Sequence, residues 1–209
     1  MRALALLPVL MAAPIHAQPT LVFLGDSLTA GLGLDRSQAF PSLVEARLKQ
    51  AGLAWKVVNA GVSGDTSAGA RARLDWIYRE KVDLMFVCVG SNDGLRGLPV
   101  AELEKNLRAI LDRARREGTR VVLAGAMVPD NYGRAYQEAF RGVFTRVAKD
   151  YKLPLMPFLL EGVALDPALN QEDGMHPNAA GARKVAEGVW RILEPRLRHP
   201  LRAGAPSAR

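Results

Sequence analysis

Cys88 is the only cysteine in a chain of 209 residues, so no intrachain disulfide can form. It sits within the apolar run Leu84-Met85-Phe86-Val87-Cys88-Val89, which reads as buried core rather than as a nucleophile. Histidine is nearly as scarce: His16, His176 and His199 lie far apart, with no Cys/His cluster. The spacing therefore offers no zinc site, and no metal or cofactor is expected. No apolar run reaches the roughly 20 residues that a membrane-spanning helix needs. Gly61-Val62-Ser63-Gly64-Asp65-Thr66 has phosphate-loop glycines but no lysine before the Ser/Thr, so that reading fails. A dense basic stripe is also missing. The net charge is +7, but five arginines lie at the ends, Arg2, Arg196, Arg198, Arg202 and Arg209, which leaves +2 for residues 18–195. Arg113, Arg115 and Arg116 come closest to a stripe, yet Asp112 and Glu117 stand beside them, as on a solvated helix face. No nucleic-acid partner is expected, and the basic tail implies at most a weak contact with an anionic membrane surface.

What is present is a globular composition, with 49% hydrophobic and 23% charged residues, in a length that suits one domain. The first 17 residues stand apart. Arg2 supplies a minimal positive start, Ala3 to Ala13 a short apolar run, and Ile15-His16-Ala17 a tolerable cleavage site. Residues 1–17 are read as a secretory signal peptide, with a buried first strand or helix as the alternative. No cysteine follows the apolar run, which argues against a lipoprotein anchor. The expected organisation is a signal over 1–17, a domain over 18–195 and a basic, disordered tail over 196–209.

Within the domain, apolar runs of strand length alternate with helical patterns. Strands are expected at residues 20–24, 56–59, 83–89, 120–125 and 153–156. Helical faces recur at Leu103, Leu107, Ile110, Leu111 and Ala114, at Phe140, Val143, Phe144, Val147 and Tyr151, and at Val185, Val189, Ile192 and Leu193. Strands separated by helices imply an α/β fold, a five-stranded parallel sheet with helices on both faces. Such sheets bind ligands at the carboxyl ends of their strands. Gly25-Asp26-Ser27, Gly61-Val62-Ser63-Gly64-Asp65 and Gly90-Ser91-Asn92-Asp93 fall at three of those ends and mark one shared site.

Acyl transfer needs a nucleophile, a base, a group that orients the base, and donors for the oxyanion. His176 is the one histidine between signal and tail, so it is the candidate base. Asp173, three residues earlier, can reach back across the turn to its Nδ1, but that spacing alone is a weak signal, and the alternative is that Asp173 caps a turn and His176 is a surface residue. Ser27 follows the run Leu21-Val22-Phe23-Leu24 at a strand-to-helix junction, where a helix N-terminus favours developing negative charge. An N-cap serine fits the same position. Asp26 and Asp65 are expected to bond backbone amides of their own turns. Met127-Val128-Pro129 is a candidate wall of the substrate pocket, or ordinary loop packing.

Four blocks together resemble the GDSL, or SGNH, hydrolase family. They are Gly25-Asp26-Ser27-Leu28, Asn59-Ala60-Gly61-Val62-Ser63-Gly64-Asp65-Thr66, Gly90-Ser91-Asn92-Asp93 and Asp173-Gly174-Met175-His176-Pro177-Asn178, in family order over about residues 20 to 180. The resemblance implies a three-layer α/β/α fold of flavodoxin-like topology. It implies Ser27 as nucleophile, His176 as base and Asp173 as its orienting group. The oxyanion hole would comprise the Ser27 N–H, the Gly61 N–H and the Asn92 side-chain amide. The stretches Ser63-Gly64-Asp65-Thr66-Ser67 and Gly90-Ser91-Asn92-Asp93-Gly94-Leu95-Arg96-Gly97 are similar to the bacterial periplasmic thioesterase, arylesterase and lysophospholipase group, except that Ser91 stands where glycine is usual. That adds a hydroxyl beside the expected hole, tolerable unless the backbone needs φ > 0. The expected activity is hydrolysis of small acyl or aryl esters, thioesters or lysophospholipids by a periplasmic or secreted monomer. The alternatives are an O-acetylesterase of polysaccharide or peptidoglycan, and an inactive acyl- or glycan-binding module.

Overall fold

The computed structural model describes residues 18–198. The proposed signal over 1–17, and the tail from residue 199, lie outside the described residues. Five strands form one parallel sheet: β1 (Thr20–Gly25), β2 (Lys56–Gly61), β3 (Leu84–Cys88), β4 (Arg120–Ala124) and β5 (Leu155–Met156). Their order is β2-β1-β3-β4-β5, the flavodoxin-like order, so the chain reverses direction across the sheet between β1 and β3. Register pairs Gly25 with Gly61 on one side and with Cys88 on the other. The carboxyl ends of the three strands that carry the first three blocks therefore lie side by side.

Side chains alternate across the sheet with period two. Val22, Leu24, Met85, Val87 and Leu123 face one core, packed with α6 (Val100–Arg116) and α7 (Arg134–Asp150). Leu21, Phe23, Leu84, Phe86 and Val122 face the other, packed with α2 (Phe40–Gln50) and α8 (Ala179–Arg198). Both faces of β1, β3 and β4 are covered, which is why they read as continuous apolar runs rather than as alternating ones. Shorter helices sit over the loops: α1 (Ser27–Ala30), α3 (Ser67–Ala72), α4 (Leu74–Ile77) and α5 (Ser91–Leu95).

Two boundaries differ from expectation. β5 is only two residues long, because Lys152 takes φ 54 and Pro154 has no N–H to give the ladder. The domain does not stop at residue 195. α8 runs through Pro195 to Arg198, so Arg196 and Arg198 belong to a helix and not to a disordered tail. The ring of Pro195 removes one helical hydrogen bond. Other elements supply donors to the carbonyls at the helix end: Arg120 Nη1 to that of Arg196 at 3.0 Å and Trp55 Nε1 to that of Leu197 at 3.3 Å. Leu197 is buried, which holds the turn on the sheet.

Candidate active site

β1 ends at Gly25, and the chain turns at once into the single-turn helix α1. Asp26, not Ser27, is the N-cap: its Oδ1 accepts from the Leu28 N–H at 3.0 Å. Ser27 is thus freed from capping. It opens the helix, where its own N–H has no intrahelical acceptor. Asp26 is fully buried, and burial pushes its carboxyl above the usual range. The Leu28 bond, the Ser91 hydroxyl and the His176 imidazole pull the other way. Ser91 therefore faces Asp26, although Asp26 Oδ2 has no closed hydrogen bond among the described residues. The serine is tolerated because Gly90, at φ 116, takes the left-handed conformation in its place.

The last block forms a tight turn. Asn170 and Pro177 form a β-bridge, the Gln171 N–H donates to the His176 carbonyl at 2.8 Å, and Gly174 reverses the chain at φ 69. Inside this turn Asp173 Oδ1 accepts from the N–H groups of Met175 and His176, both at 2.9 Å. Its Oδ2 lies 2.6 Å from His176 Nδ1. Those two backbone bonds, and then the imidazole, hold the Asp173 carboxyl well down, at about 2. Asp173 thus caps its turn and contacts the ring at once, and His176 is not left as a surface residue. On the ring's other side His176 Nε2 lies 2.8 Å from Ser27 Oγ. Gln171 Nε2 ties the turn to the loop after α1 by donating to the Leu32 carbonyl at 2.7 Å, and Asn178 caps α8 behind it.

The Gly61 N–H, expected in the oxyanion hole, is committed elsewhere: it donates to Asn59 Oδ1 at 3.0 Å. Glycine is needed there for closeness, since a Cβ would come within 2.2 Å of the Ala30 nitrogen. Asn59 clamps the same spot by donating from Nδ2 to the Thr29 carbonyl at 2.9 Å. Further along this loop Val62 N–H donates to the Gly25 carbonyl, and the Asp65 carbonyl accepts from Asn92 Nδ2 at 2.9 Å. The second amide proton of Asn92 is left over. Between these anchors Gly64, at φ 82, has an N–H without a partner among the described residues.

The carboxylate of Asp65 differs from expectation. It pairs with Arg73 Nε at 2.7 Å, and Arg73 Nη2 also donates to the Gly25 carbonyl at 3.0 Å. Asp93 is buried and accepts from both the Ser67 N–H at 2.7 Å and its hydroxyl at 2.5 Å; Asn106 donates to the same hydroxyl. These groups brace the loops and touch no open space at Ser27. Arg73 and Asn106 fall outside every sequence block, so no pattern announced them. The Cys88 thiol is buried and its pKa is pushed far up, which leaves it inert. Val128 packs into the core, whereas Met127 is exposed.

A Ser–His–Asp relay at a helix N-terminus, with uncommitted amide donors on the loops after β2 and β3, has the parts for acyl transfer. Comparison with known proteins agrees with this geometry. The profile of the GDSL-like Lipase/Acylhydrolase family matches residues 23–184. Esterase TesA of Pseudomonas aeruginosa is 44% identical over 201 residues, covering 94% of this chain and all of that protein. Thioesterase 1/protease 1/lysophospholipase L1 of Escherichia coli is 37% identical over 192 residues, 91% of each chain. Among solved structures, the crystal structure of TesA superposes with a TM-score of 0.81 at 46% identity, over 84% of this chain and 98% of that one.

Proposed function

The chain belongs to the GDSL-like lipase/acylhydrolase family and is a serine ester hydrolase, and we propose that Ser27, His176 and Asp173 carry its chemistry on acyl and aryl esters. The observation that carries this reading is the 2.8 Å contact between His176 Nε2 and Ser27 Oγ, made across 149 residues of sequence. Ser27 Oγ attacks the acyl carbonyl while its proton passes to His176 Nε2. The carbonyl oxygen becomes an oxyanion facing the Ser27 N–H, the free amide proton of Asn92 and the Gly64 N–H. Collapse breaks the bond to the leaving oxygen or sulfur, which takes the proton back from His176. Water then attacks the acyl-enzyme, losing its proton to His176, and the acid departs from a regenerated Ser27.

An apolar rim supports acyl and aryl groups, with thioesters and lysophospholipids as further substrates. Leu32, Val62, Met127 and Met175, on loops, and Leu95, at the end of α5, are 39 to 49% exposed and all follow strands at the carboxyl end of the sheet or lie in the block that contains His176. A polysaccharide O-acetylesterase would need free aromatic faces, and the tyrosines here are occupied. Tyr132 and Tyr136 donate to the Leu95 and Leu98 carbonyls, and Tyr136 stacks on Phe140. Chromogenic esters of rising acyl length, set against an acetylated glycan, test the assignment. kcat/KM should rise with acyl length over the first several carbons, whereas faster release of acetate from the glycan would reverse it. No turnover of any ester would leave only a binding module.

The imidazole must be neutral to take the serine proton, so activity should fall as the solution is made acidic. Asp173, with its carboxyl held at about 2, stays ionised to far lower pH and adds no second acid limb near neutrality. His176→Ala should remove nearly all turnover. Asp173→Asn should cost about 10²–10⁴-fold, through the wrong tautomer and a lost counter-charge. A rate that is flat with pH, or equal rates for Asp173→Asn and wild type, would contradict these roles. We also propose export to the periplasm or medium with cleavage after Ala17. Amino-terminal sequencing of the secreted protein should begin at Gln18, and a mature protein that keeps residues 1–17 would refute it.

A further inference from the structure

Arg73 stands at the junction of α3 and α4, between Ala70 and Leu74, whose side chains are buried in the core. Its own side chain is 18% exposed and that of Asp65 17%, so the pair is largely withdrawn from water. Nε donates to Asp65 Oδ2 at 2.7 Å, and Nη2, on the same edge of the guanidinium, donates to the Gly25 carbonyl at 3.0 Å. That carbonyl already accepts from the Val62 N–H at 3.1 Å, so it does not need Arg73 to be satisfied. Among the described residues, Arg73 is the one cation paired with Asp65.

Asp65 is where the proposed oxyanion donors meet. It follows Gly64 in the chain, and its carbonyl accepts from Asn92 Nδ2 at 2.9 Å. Gly25 ends β1, two residues before Ser27. One guanidinium edge therefore ties the residue that holds both donors to the strand that delivers the nucleophile. The other anchors of this loop do different work. Val62 fixes its start on β1, and Arg96 Nη2 reaches the Gly64 carbonyl at 2.8 Å from the end of α5. Arg73 fixes the far side of the loop on β1.

We infer that Arg73 is a positioning residue for ester hydrolysis, which sets the distance from Ser27 to the donors of Gly64 and Asn92 without touching substrate. The inference rests on the oxyanion hole proposed above. A guanidinium suits the task because two donors on one rigid edge meet acceptors on two different elements; an ammonium would carry the charge but not the fork. Placement matters because oxyanion donors act only when aimed at the developing charge, and an error of about 1 Å can cost on the order of 10²-fold in rate.

Steady-state kinetics of the full chain on a chromogenic ester, with melting temperatures alongside, test it. Arg73→Lys keeps the charge and loses the fork. Asp65→Asn/Arg73→Gln removes both charges at once, so no unpaired carboxylate is left to unfold the loop. Each variant should be folded at the assay temperature, with kcat lowered about 10–10²-fold and KM within about twofold of wild type. In an Asn92→Ala background, Arg73→Lys should cost less than it does alone, because one of the donors it positions is already gone. A kcat within about twofold of wild type for either variant, a loss no larger than the unfolded fraction explains, or a fully multiplicative loss in the Asn92→Ala background would overturn the role. Asn92→Ala alone separates the two readings. If it is crippled while the Arg73 variants are not, only the role of Arg73 falls; if it keeps wild-type kcat, the oxyanion hole falls and takes that role with it.

Discussion

Replacing Ser27 by alanine is expected to lower kcat by about 10⁴–10⁶-fold while leaving the fold intact. The size follows from cooperation within the relay. Without Oγ there is no acyl-enzyme, and His176 has no proton to accept, so the whole constellation fails together. The fold should survive because Ser27 caps nothing. Asp26 supplies the N-cap bond to Leu28, and the lost hydroxyl is bonded only to His176 Nε2. Unchanged circular dichroism and melting temperature beside the lost turnover is the expected pair of results. A variant that keeps a tenth of its activity would place the nucleophile elsewhere.

Asn92→Ala should lower kcat by about 10²–10³-fold, with a much smaller change in KM. The tetrahedral intermediate carries full negative charge on the former carbonyl oxygen, so a fixed donor binds it better than the ground state. Two of the three proposed donors are backbone N–H groups, which mutation cannot delete cleanly. Asn92 is the removable one. Its bond to the Asp65 carbonyl fixes the amide plane and leaves the second proton available. That same bond also braces the loop, so some loss of stability, about 1 kcal/mol, should accompany the kinetic effect. Asn92→Asp should be at least as damaging, because a carboxylate would face both the Asp65 carbonyl and the oxyanion. A drop in melting temperature with near-normal kcat would make Asn92 a brace alone.

The sheet was legible because β1, β3 and β4 are buried on both faces, so their apolar runs stand out from the helical patterns around them. The helices α6, α7 and α8 were legible from a single apolar stripe each. The short α3, α4 and α5 were not, since one or two turns contain too few residues for a period to show. Ser27, Asp173 and His176 could be named because each sits in a local block. The oxyanion donors were harder. The second block holds two glycines, and the choice between them depends on where the Asn59 side chain turns. That is a tertiary fact, and it commits the Gly61 N–H and leaves that of Gly64 free. The end of the domain was missed for a similar reason. Proline ordinarily stops a helix, and the groups that hold the turn after Pro195, Arg120, Trp55 and the buried Leu197, come together only in the folded chain.

The central claim is that Ser27 Oγ forms the covalent acyl bond. Incubating the full chain with an alkyl phosphonate bearing a good leaving group, followed by intact-mass and peptide mass spectrometry, tests it most directly. In this reaction Ser27 Oγ would bond to phosphorus, the leaving group would depart with its electron pair, and His176 would take the serine proton. A single adduct is expected, located on Ser27, formed in step with loss of ester turnover and absent from Ser27→Ala. An adduct on any other residue, or one that persists in Ser27→Ala, would contradict it.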